Sequence, residues 1–420
     1  MEALKIVGGK RLKGTVAASG SKNASLPILA ATLLAEGKSR ICGVPRLQDV
    51  RTMLKILVAL GAKVNWERGC ITVDTGNIKG YTAPYELVKQ MRASICFLGP
   101  LLARFGKARI SLPGGCVIGD RPIDIHIKGL EKLGIKFRLE EGYVEGKAER
   151  LKGAALFLGG NFGSSVLATA NLMMTAVLVP GETVIEFSAC EPEVVDLANF
   201  LNRMGAKISG VGSHLIRIKG VKKLKPATHR IIPDRIETGT YLLAGALTGG
   251  TIEVQRCVPD HLFALLDKLT EAGSEIKKGK NKVSIKGDGR VKGVDVVTLP
   301  YPGFPTDLQA QFMVLMSLAE GASIITEKVF PERFIHAAEL KRLGADITLQ
   351  EGTAIIRGRD RLNGTRVMAS DLRASAALVL AGLAATGETI VSRIYHLDRG
   401  YENMERKLNS LGACISRIQE

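Results

Sequence analysis

The chain has 420 residues, of which 46% are hydrophobic and 24% are charged, a balance that predicts a soluble globular protein of about two domains. Its formal net charge of +17 favours a negatively charged partner, either a nucleic acid or a polyanionic small molecule. Aromatic residues make up only 5% of the chain, which argues against a stacking platform for single-stranded nucleic acid. The lysines and arginines are scattered along the chain, so we favour small anionic ligands.

The cysteines, histidines and apolar runs indicate the compartment of the protein and whether it contacts a metal or a membrane. Seven cysteines without CxxC spacing predict free thiols in a reducing cytoplasm rather than a disulfide framework. The N-terminus lacks a signal-peptide pattern, and apolar runs such as 374–386 are too short to cross a bilayer. The six histidines show no metal-ligand spacing, and no GxGxxG motif occurs. We therefore expect a cytoplasmic protein without a metal, a membrane contact or a nucleic-acid partner.

Six copies of one repeat of about 70 residues follow one another along the chain. A Leu-Gly-Ala-like signature marks each copy, and its glycine recurs every 68 to 73 residues, at Gly61, Gly134, Gly205, Gly273, Gly344 and Gly412. A second glycine lies 23 to 28 residues before each of these, at Gly37, Gly106, Gly181, Gly250, Gly321 and Gly387. Each copy therefore predicts an apolar helix ended by glycine, a strand, a second helix ended by glycine, and another strand.

The first helix of several copies is apolar nearly all round, as in 25–34, 93–103, 167–179 and 374–383. Such helices are buried, so the repeats predict an α/β protein of two domains, each with three repeats, helices inside and sheets outside. We expect the segment 225–230 to link the domains and the first twenty residues to pair with the last copy. The predicted domains are 22–230 and 1–21 plus 231–420, with the active site in the cleft between them.

Charged residues recur at two equivalent positions of the repeat. The first charged position lies 14 or 15 residues before the glycine that ends the first helix, and it holds Lys22, Arg92, Asp307 and Arg373. A cation in the first turn of a helix opposes the helix dipole unless an anion binds nearby, so this position predicts a phosphate site. The alternative is that such a lysine or arginine caps a loop or bridges to a carboxylate. The second charged position lies 12 residues after the same glycine and holds Asp49, Glu193, Arg333 and Arg399, while Arg121 is displaced to 15.

Asp307 has two interpretations at this stage. Thr306 and Gln309 have capping-box spacing, and an acid in a first helical turn is stabilising, which makes Asp307 structural. Because the equivalent residues of other copies are cations, Asp307 is also a candidate general base for a hydroxyl group.

The loop 112–124, Leu-Pro-Gly-Gly-Cys-Val-Ile-Gly-Asp-Arg-Pro-Ile-Asp, interrupts the second copy. Its glycines and prolines are incompatible with regular helix or strand, so we expect a mobile loop. It places the Cys116 thiol five residues from the Arg121 guanidinium, surroundings that favour a reactive cysteine. The alternative is that Cys116 is one more small apolar residue.

These motifs together resemble the enolpyruvyl transferase family, and within it the UDP-N-acetylglucosamine 1-carboxyvinyltransferases. The resemblance runs from Leu4 to the C-terminus and is carried by the Pro-Gly-Gly-Cys loop, Ser21-Lys22-Asn23, and the segments 234–240, 304–311 and 371–375. It implies the inside-out α/β barrel fold of two three-repeat domains. It also implies transfer of an enolpyruvyl group from phosphoenolpyruvate to the 3′-hydroxyl of UDP-N-acetylglucosamine, with release of phosphate, in peptidoglycan synthesis and without a cofactor.

The resemblance also assigns roles to residues. Cys116 is implied to be the general acid, able to hold phosphoenolpyruvate covalently, and Asp307 the base, with Lys22 and Arg399 completing the catalytic set. The implied phosphoenolpyruvate contacts are Lys22, Asn23, Arg121 and Arg399. The implied UDP-sugar contacts are Arg92, Arg121, Pro122, Ile123, Asp124, Ile125, Ser165, Val166, Asp307 and Val329, with Arg333, Asp371 and Arg373 in support. Leu167 stands where the family has glycine, which predicts a rearranged backbone contact with the diphosphate.

Two other functions remain open from the sequence. The same fold also serves EPSP synthases, in which the acceptor is shikimate 3-phosphate. A non-catalytic, basic binding protein of this fold is the second alternative. For the enolpyruvyl transferase we expect a monomer in the bacterial cytoplasm.

Overall fold

The computed structural model describes residues 2–111, 123–160 and 163–420. The α-helices in these residues are α1 (Lys22–Ala31), α2 (Gln48–Ala59), α3 (Tyr85–Val88), α4 (Leu98–Phe105), α5 (Asp124–Lys132), α6 (Val166–Ala176), α7 (Pro192–Arg203), α8 (Arg235–Leu247), α9 (Phe263–Glu271), α10 (Gln309–Met316), α11 (His336–Arg342), α12 (Leu372–Ala384) and α13 (Met404–Ser410). Short 3₁₀ helices occupy Thr32–Leu34, Arg92–Phe97, Pro259–Leu262, Thr306–Leu308 and Ile394–Arg399.

The strands are short and follow the helices in every copy. They are β1 (Glu2–Val7), β2 (Lys13–Ala17), β3 (Lys38–Cys42), β4 (Lys63–Glu67), β5 (Cys70–Asp74), β6 (Thr82–Ala83), β7 (Lys107–Ser111), β8 (Ile135–Glu140), β9 (Tyr143–Ala148), β10 (Ala155–Phe157), β11 (Gly159–Gly160), β12 (Gly163–Ser164), β13 (Glu182–Glu186), β14 (Lys207–Ser209), β15 (Leu215–Lys219), β16 (Thr228–Arg230), β17 (Thr251–Gln255), β18 (Glu275–Gly279), β19 (Lys282–Lys286), β20 (Val296–Thr298), β21 (Ala322–Glu327), β22 (Asp346–Gln350), β23 (Thr353–Arg357), β24 (Arg366–Met368), β25 (Glu388–Ser392) and β26 (Ile415–Gln419).

Each copy of the repeat contributes to one four-stranded sheet of constant design. One edge strand runs parallel to its neighbour and the other pairs are antiparallel, in the orders β16-β3-β5-β4, β6-β7-β9-β8, β10-β13-β15-β14, β2-β17-β19-β18, β20-β21-β23-β22 and β24-β25-β1-β26. The N-terminal strand β1 pairs with β25 and β26 of the last copy, with Ala3 opposite Ile418. The expectation that the first twenty residues pair with the last copy is therefore confirmed for β1 but is wrong for β2, which pairs with β17 of the fourth copy.

The signature glycines end the second helix of every copy in the same way. Gly61, Gly134, Gly205, Gly273, Gly344 and Gly412 all have φ between 96° and 108°. Each follows the C-cap residue of its helix, where a left-handed residue closes the last turn and side chains other than glycine are disfavoured. The repeat period read from the sequence therefore reflects a recurring helix stop.

Two compact units make up the described chain. Residues 20–111, 123–160 and 163–232 form one, which we call the Lys22 unit, and residues 2–19 and 233–420 form the other, the Asp307 unit. The apolar helices α1, α4 and α6 are buried in the Lys22 unit, and α8, α10 and α12 are buried in the Asp307 unit. Strands such as β3 and β17 alternate exposed and buried residues, as expected for sheets that cover helices on one face. The predicted fold class, with helices inside and sheets outside, is confirmed.

The prediction that the cysteines are free thiols is wrong for one pair. Cys42 and Cys70 are joined by a disulfide, because they lie opposite each other on the antiparallel strands β3 and β5 with their Cα atoms 3.9 Å apart. Their separation of 28 positions along the chain does not reveal this pairing. Among the described residues, the free cysteines are Cys96, Cys190, Cys257 and Cys414. No helix within the described ranges is both long and apolar enough to span a membrane.

Candidate functional site

Lys22 and Asp49 occupy the two charged positions of the first copy and form an ion pair. Lys22 is the first residue of α1, which Ser21 caps by accepting a hydrogen bond from the N–H of Ala24. Its Nζ lies 2.8 Å from Oδ2 of Asp49, which lies in the first turn of α2, and both side chains are largely buried. The carboxylate offsets the unfavourable meeting of a cation with a helix N-terminus and holds the ammonium group in place. Asn23 follows Lys22 in the same helical turn.

Asp307 and Arg333 occupy the same two positions of the fifth copy and also form an ion pair. Asp307 lies in the 3₁₀ helix that leads into α10, and its Oδ1 accepts a hydrogen bond from Nη1 of Arg333 at 2.9 Å. Its Oδ2 accepts a second one, also at 2.9 Å, from Nη2 of Arg373 in α12. Both arginine side chains are buried. The structure thus brings together three residues predicted from the sequence, with Arg333 and Arg373 both bound to the carboxylate of Asp307.

The two guanidinium groups determine the protonation state of Asp307. Burial raises the pKa of its carboxyl group, but the charges of Arg373 and Arg333 outweigh burial and hold that pKa well below its usual range. Asp307 is therefore an ionised acceptor at neutral pH. A carboxylate of such low pKa is a weak base toward a neutral hydroxyl group, so it accepts a proton efficiently only as the hydroxyl oxygen gains positive charge during bond formation.

The capping-box interpretation of Thr306 and Gln309 is wrong. The Thr306 hydroxyl donates to Oε2 of Glu327 at 2.9 Å and accepts from Nη1 of Arg333 at 3.0 Å, so it does not cap the helix. The side-chain N and O atoms of Gln309 are buried without a hydrogen-bond partner in the described part of the chain. Thr306 instead takes part in orienting Arg333.

Glu327 is the residue of this region that the sequence analysis missed. Its buried carboxylate accepts hydrogen bonds from the hydroxyls of Thr298 and Thr306 and from the backbone N–H groups of Val329 and Phe330. It therefore fixes the backbone at Val329 and, through Thr306, the guanidinium of Arg333. The only signal in the sequence was an acid at the end of a strand, which is common at exposed positions as well.

Asp371 and Arg399 occupy ends of helices in the Asp307 unit. Asp371 is the N-cap of α12 and accepts hydrogen bonds from the N–H groups of Arg373 and Ala374 at 2.8 and 3.1 Å. Asp371 thereby fixes the backbone of Arg373 at the start of α12. Arg399 is the last residue of the 3₁₀ helix Ile394–Arg399. The guanidinium of Arg373 lies 5.4 Å from the centre of the Tyr401 ring, just beyond that helix.

In the Lys22 unit, the residues predicted to contact the UDP-sugar lie where helical segments begin. Arg92 is the first residue of the 3₁₀ helix Arg92–Phe97. Ile123 directly precedes α5, whose first two residues are Asp124 and Ile125. Ser165 caps α6 by accepting a hydrogen bond from the N–H of Ala168, and Val166 is the first residue of that helix. Helix N-termini present backbone N–H groups that suit anions. Cys116, Arg121 and Pro122 lie outside the described residues, and so does the loop 112–122.

Metal-binding groups are not found among the residues that the structure describes. No cluster of three or more histidine, cysteine, aspartate or glutamate side chains occurs in ranges 2–111, 123–160 and 163–420 that is suited to hold a metal ion. The charged groups at Asp307 are instead arranged as one carboxylate between two guanidinium groups.

Comparison with known proteins gives consistent results. Residues 6–408 match the family described as EPSP synthase (3-phosphoshikimate 1-carboxyvinyltransferase). The chain is 56% identical, over the full length of both proteins, to a UDP-N-acetylglucosamine 1-carboxyvinyltransferase of Geotalea uraniireducens. It is 55% identical to the protein of that name from Coxiella burnetii, covering 100% of this chain and 96% of the relative.

Solved structures share the fold. The enolpyruvyl transferase NikO from Streptomyces tendae superposes with a TM-score of 0.90 at 26% identity, over 100% of this chain and 99% of that one. An EPSP synthase from Acinetobacter baumannii has a TM-score of 0.75 at 19% identity, over the full length of both chains, and so shows the fold alone.

Proposed function

Because the chain belongs to the EPSP synthase family, we propose that it transfers the enolpyruvyl group of phosphoenolpyruvate to the 3′-hydroxyl of UDP-N-acetylglucosamine and releases phosphate. The observation that carries this choice of acceptor is the identity of 52% to 56% with full-length relatives named UDP-N-acetylglucosamine 1-carboxyvinyltransferase. The solved EPSP synthases, by contrast, are 18% and 19% identical. The product would be committed to peptidoglycan synthesis.

The charges of the described residues suit this chemistry. Both substrates are polyanions that repel each other, so a site for the pair requires cations, which Lys22, Arg92 and Arg399 supply. We assign Lys22, Asn23, Arg121 and Arg399 to phosphoenolpyruvate. We assign Arg92, the run 121–125, Ser165, Val166 and Val329 to the UDP-sugar.

The proposed reaction is an addition followed by an elimination. Cys116 donates a proton to the methylene carbon of phosphoenolpyruvate, which leaves the neighbouring carbon with oxocarbenium character. The sugar hydroxyl oxygen bonds to that carbon while its proton passes to Asp307. The Cys116 thiolate then takes a proton back from the new methyl group while the carbon–oxygen bond to phosphate breaks, which forms the enol ether, releases phosphate and restores the thiol. Because the pKa of Asp307 is low, the proton leaves the hydroxyl late, after the carbon–oxygen bond has begun to form.

Phosphate release from phosphoenolpyruvate is the direct test. We expect release by the pure protein only when UDP-N-acetylglucosamine is present, and none with shikimate 3-phosphate. Release with shikimate 3-phosphate alone would instead support the EPSP synthase function that the family description suggests. Absence of release with either acceptor, combined with salt-dependent binding to duplex DNA, would favour the basic binding protein.

Substitutions at Cys116 test the proposed general acid. We expect Cys116→Ala to abolish turnover and Cys116→Asp to retain part of it, because a carboxylic acid can replace the thiol as proton donor once its pKa is raised. The epoxide fosfomycin should inactivate only the form with the thiol, and mass spectrometry of the treated protein reports the adduct. Full activity of Cys116→Ala would remove this loop from the mechanism.

The compartment and the assembly complete the proposal. Phosphoenolpyruvate and the UDP-sugar are charged metabolites that do not cross a bilayer unaided, so we place the enzyme in the bacterial cytoplasm. We propose a monomer, which light scattering of the purified protein would test.

A further inference from the structure

Arg417 of β26 binds three carboxylates within the Asp307 unit. Its Nη1 and Nη2 atoms lie 3.0 and 2.9 Å from Oδ2 and Oδ1 of Asp398. The guanidinium also lies 3.1 Å from Glu405 in α13 and 3.0 Å from Glu2 in β1. An isolated surface ion pair contributes little, but a bidentate pair within a network of charges holds its members in one geometry. Arg417 therefore ties the 3₁₀ helix Ile394–Arg399 to two strands and to α13.

The side chain of Arg417 lies on the face of its sheet that covers the helices. Arg417 is opposite Leu4 on β1, and Ile415, two residues earlier, is opposite Ile6. All three apolar residues are buried in the core of the unit. Because residues two apart on a strand, and residues opposite each other on paired strands, share one face, Arg417 projects toward the same side. A charge on that side requires counter-charges, which the carboxylates supply.

The position of Arg417 in the repeat contacts the start of the second helix in other copies as well. This position lies five residues after the signature glycine, and it holds Trp66 in the first copy and Lys278 in the fourth. The guanidinium of Arg46, just before α2, lies 5.6 Å from the centre of the Trp66 ring. Nζ of Lys278 lies 5.0 Å from the ring of Phe263, the first residue of α9. The repeat thus places this side chain against the segment that carries the second charged position.

Arg399 lies in the chain between two of the carboxylates that bind this guanidinium. Asp398 directly precedes it in the 3₁₀ helix, and Glu405 follows it in the first turn of α13. The intervening backbone packs closely, since a Cβ atom on Gly400 would lie 2.1 Å from Cδ1 of Leu372. The segment that carries Arg399 is therefore fixed on both sides, and the bidentate ion pair acts on the residue next to it.

On the premise of the proposed function, we propose that Arg417 is a positioning residue for the binding of phosphoenolpyruvate. Its bidentate pair with Asp398 fixes the 3₁₀ helix, so that the guanidinium of Arg399 is already oriented toward the carboxylate and phosphate of that substrate. Without the pair, the helix samples more orientations, and the entropy lost in ordering it opposes binding. The contacts assigned to the UDP-sugar lie on other segments, so the effect concerns phosphoenolpyruvate.

Arg417→Met tests this role, because methionine keeps an unbranched apolar stem and lacks the charge. We expect the KM for phosphoenolpyruvate to rise about tenfold, while the KM for UDP-N-acetylglucosamine stays within about twofold of wild type. Arg417→Lys keeps the charge without the bidentate geometry and should raise the KM for phosphoenolpyruvate only about threefold. Phosphate release with each substrate varied in turn measures both constants. A merely structural role would change both KM values together or the stability alone.

Asp398→Asn removes the partner of the same ion pair and should reproduce the effect. Combined with Arg417→Met, it should still raise the KM for phosphoenolpyruvate only about tenfold, because both changes remove one interaction. Glu2→Gln is the matched control, since it removes a carboxylate from the same guanidinium but one that lies on β1. Both KM values of Glu2→Gln should equal those of wild type. A tenfold rise in Glu2→Gln would overturn the assignment to the pair with Asp398.

The acceptor assay keeps this inference distinct from the proposed function. If wild type uses UDP-N-acetylglucosamine and Arg417→Met has an unchanged KM for phosphoenolpyruvate, the role of Arg417 is wrong and the proposed function stands. If wild type uses shikimate 3-phosphate instead, the proposed function is wrong, and the KM for phosphoenolpyruvate measured with that acceptor still decides the role. If wild type releases no phosphate with either acceptor, both are wrong. If Arg417→Met fails to fold, as judged by thermal unfolding, Arg417→Lys and Asp398→Asn decide the role.

Discussion

The first and fifth copies of the repeat use the same two positions with opposite charges. In the first copy, Lys22 at the start of a buried helix pairs with Asp49 at 2.8 Å. In the fifth, Asp307 at the start of a buried helix pairs with Arg333 at 2.9 Å. The repeat conserves the distance and exchanges the anion and the cation.

A second pair of equivalent positions also holds different residue types in these two copies. Cys42 and Cys70 lie opposite each other at the ends of β3 and β5 and form a disulfide. Thr326 and Thr353 lie at the matching places of β21 and β23, and their hydroxyl oxygens are 3.3 Å apart.

The comparison shows which properties belong to the repeat and which to the residue. The backbone of the repeat sets the distance between two side chains, whereas the residue types set the charge and hence the chemistry. The helix dipole favours Asp307 and opposes Lys22, so Lys22 depends on Asp49 for its position. Asp307 receives two guanidinium groups in addition to the favourable dipole.

The largest effect is expected from Asp307→Asn. This change removes the proposed base and leaves the buried Arg333 and Arg373 without their carboxylate, so kcat should fall about 10³-fold and the free energy of unfolding by about 3 kcal/mol. The measurements are acceptor-dependent phosphate release and urea unfolding. Asp346→Asn removes a carboxylate that pairs with the exposed Arg359 and is the control. A loss of kcat below tenfold for Asp307→Asn would exclude Asp307 as the base.

Exchange of Lys22 and Asp49 tests whether the stability of the ion pair can be restored without restoring activity. Lys22→Glu alone places two carboxylates together and should destabilise the protein by about 3 kcal/mol, whereas Lys22→Glu with Asp49→Lys restores an ion pair and most of the stability. Activity should fall at least about 100-fold in both, because the cation is no longer at the start of α1. The same exchange at the exposed pair Lys5 and Glu388 should change neither property. Activity in the exchanged enzyme would show that Lys22 is only structural.

Acid titration of stability compares one buried histidine in each unit. Burial lowers the pKa of His126 in the Lys22 unit to about 4 and also lowers the pKa of His336 in the Asp307 unit, from an ordinary value of 6.5. Between these values the unfolded chain binds a proton that the folded chain does not. Stability is therefore complete above pH 6.5 and is lost as the pH falls toward 4, by up to roughly 1.4 kcal/mol per pH unit for each histidine.

Urea unfolding at pH 7, 6 and 5 measures this slope. His126→Gln and His336→Gln should each reduce it, because glutamine does not titrate. An unchanged slope in both variants would mean that neither histidine is neutral in the folded protein at these pH values.

The smallest effect on activity is expected from conversion of the cysteine pair of the first copy into the threonine pair of the fifth. Cys42→Thr with Cys70→Thr removes a cross-link that closes a loop of 28 residues, so the free energy of unfolding should fall by at most about 3 kcal/mol under non-reducing conditions. With reductant, wild type and variant should be alike, and kcat should not change in either condition. A large loss of kcat would show that the disulfide orders residues used in catalysis.

Much of the fold was predictable because its signals are local. The glycine period marks helix stops that need positive φ, and the apolar segments mark helices buried on every side, so the order of elements follows from neighbouring residues alone. The first charged position was also visible, because a cation at the start of an apolar helix stands out in any one copy. The roles of Cys116 and Arg399 came from resemblance and stay predictions.

Contacts between distant segments were decided only by the tertiary structure. Arg373 reaches Asp307 across 66 residues, His126 meets Asn171 across 45, and Glu327 collects donors from both sides of β21. Cys42 and Cys70 meet because two antiparallel strands happen to be in register there. The amino-acid order determined the succession of helices and strands in each copy, since helix stops and apolar runs depend on adjacent residues. Which side chains share a hydrogen bond or a charge depends on how the helices pack, and no spacing along the chain encodes it.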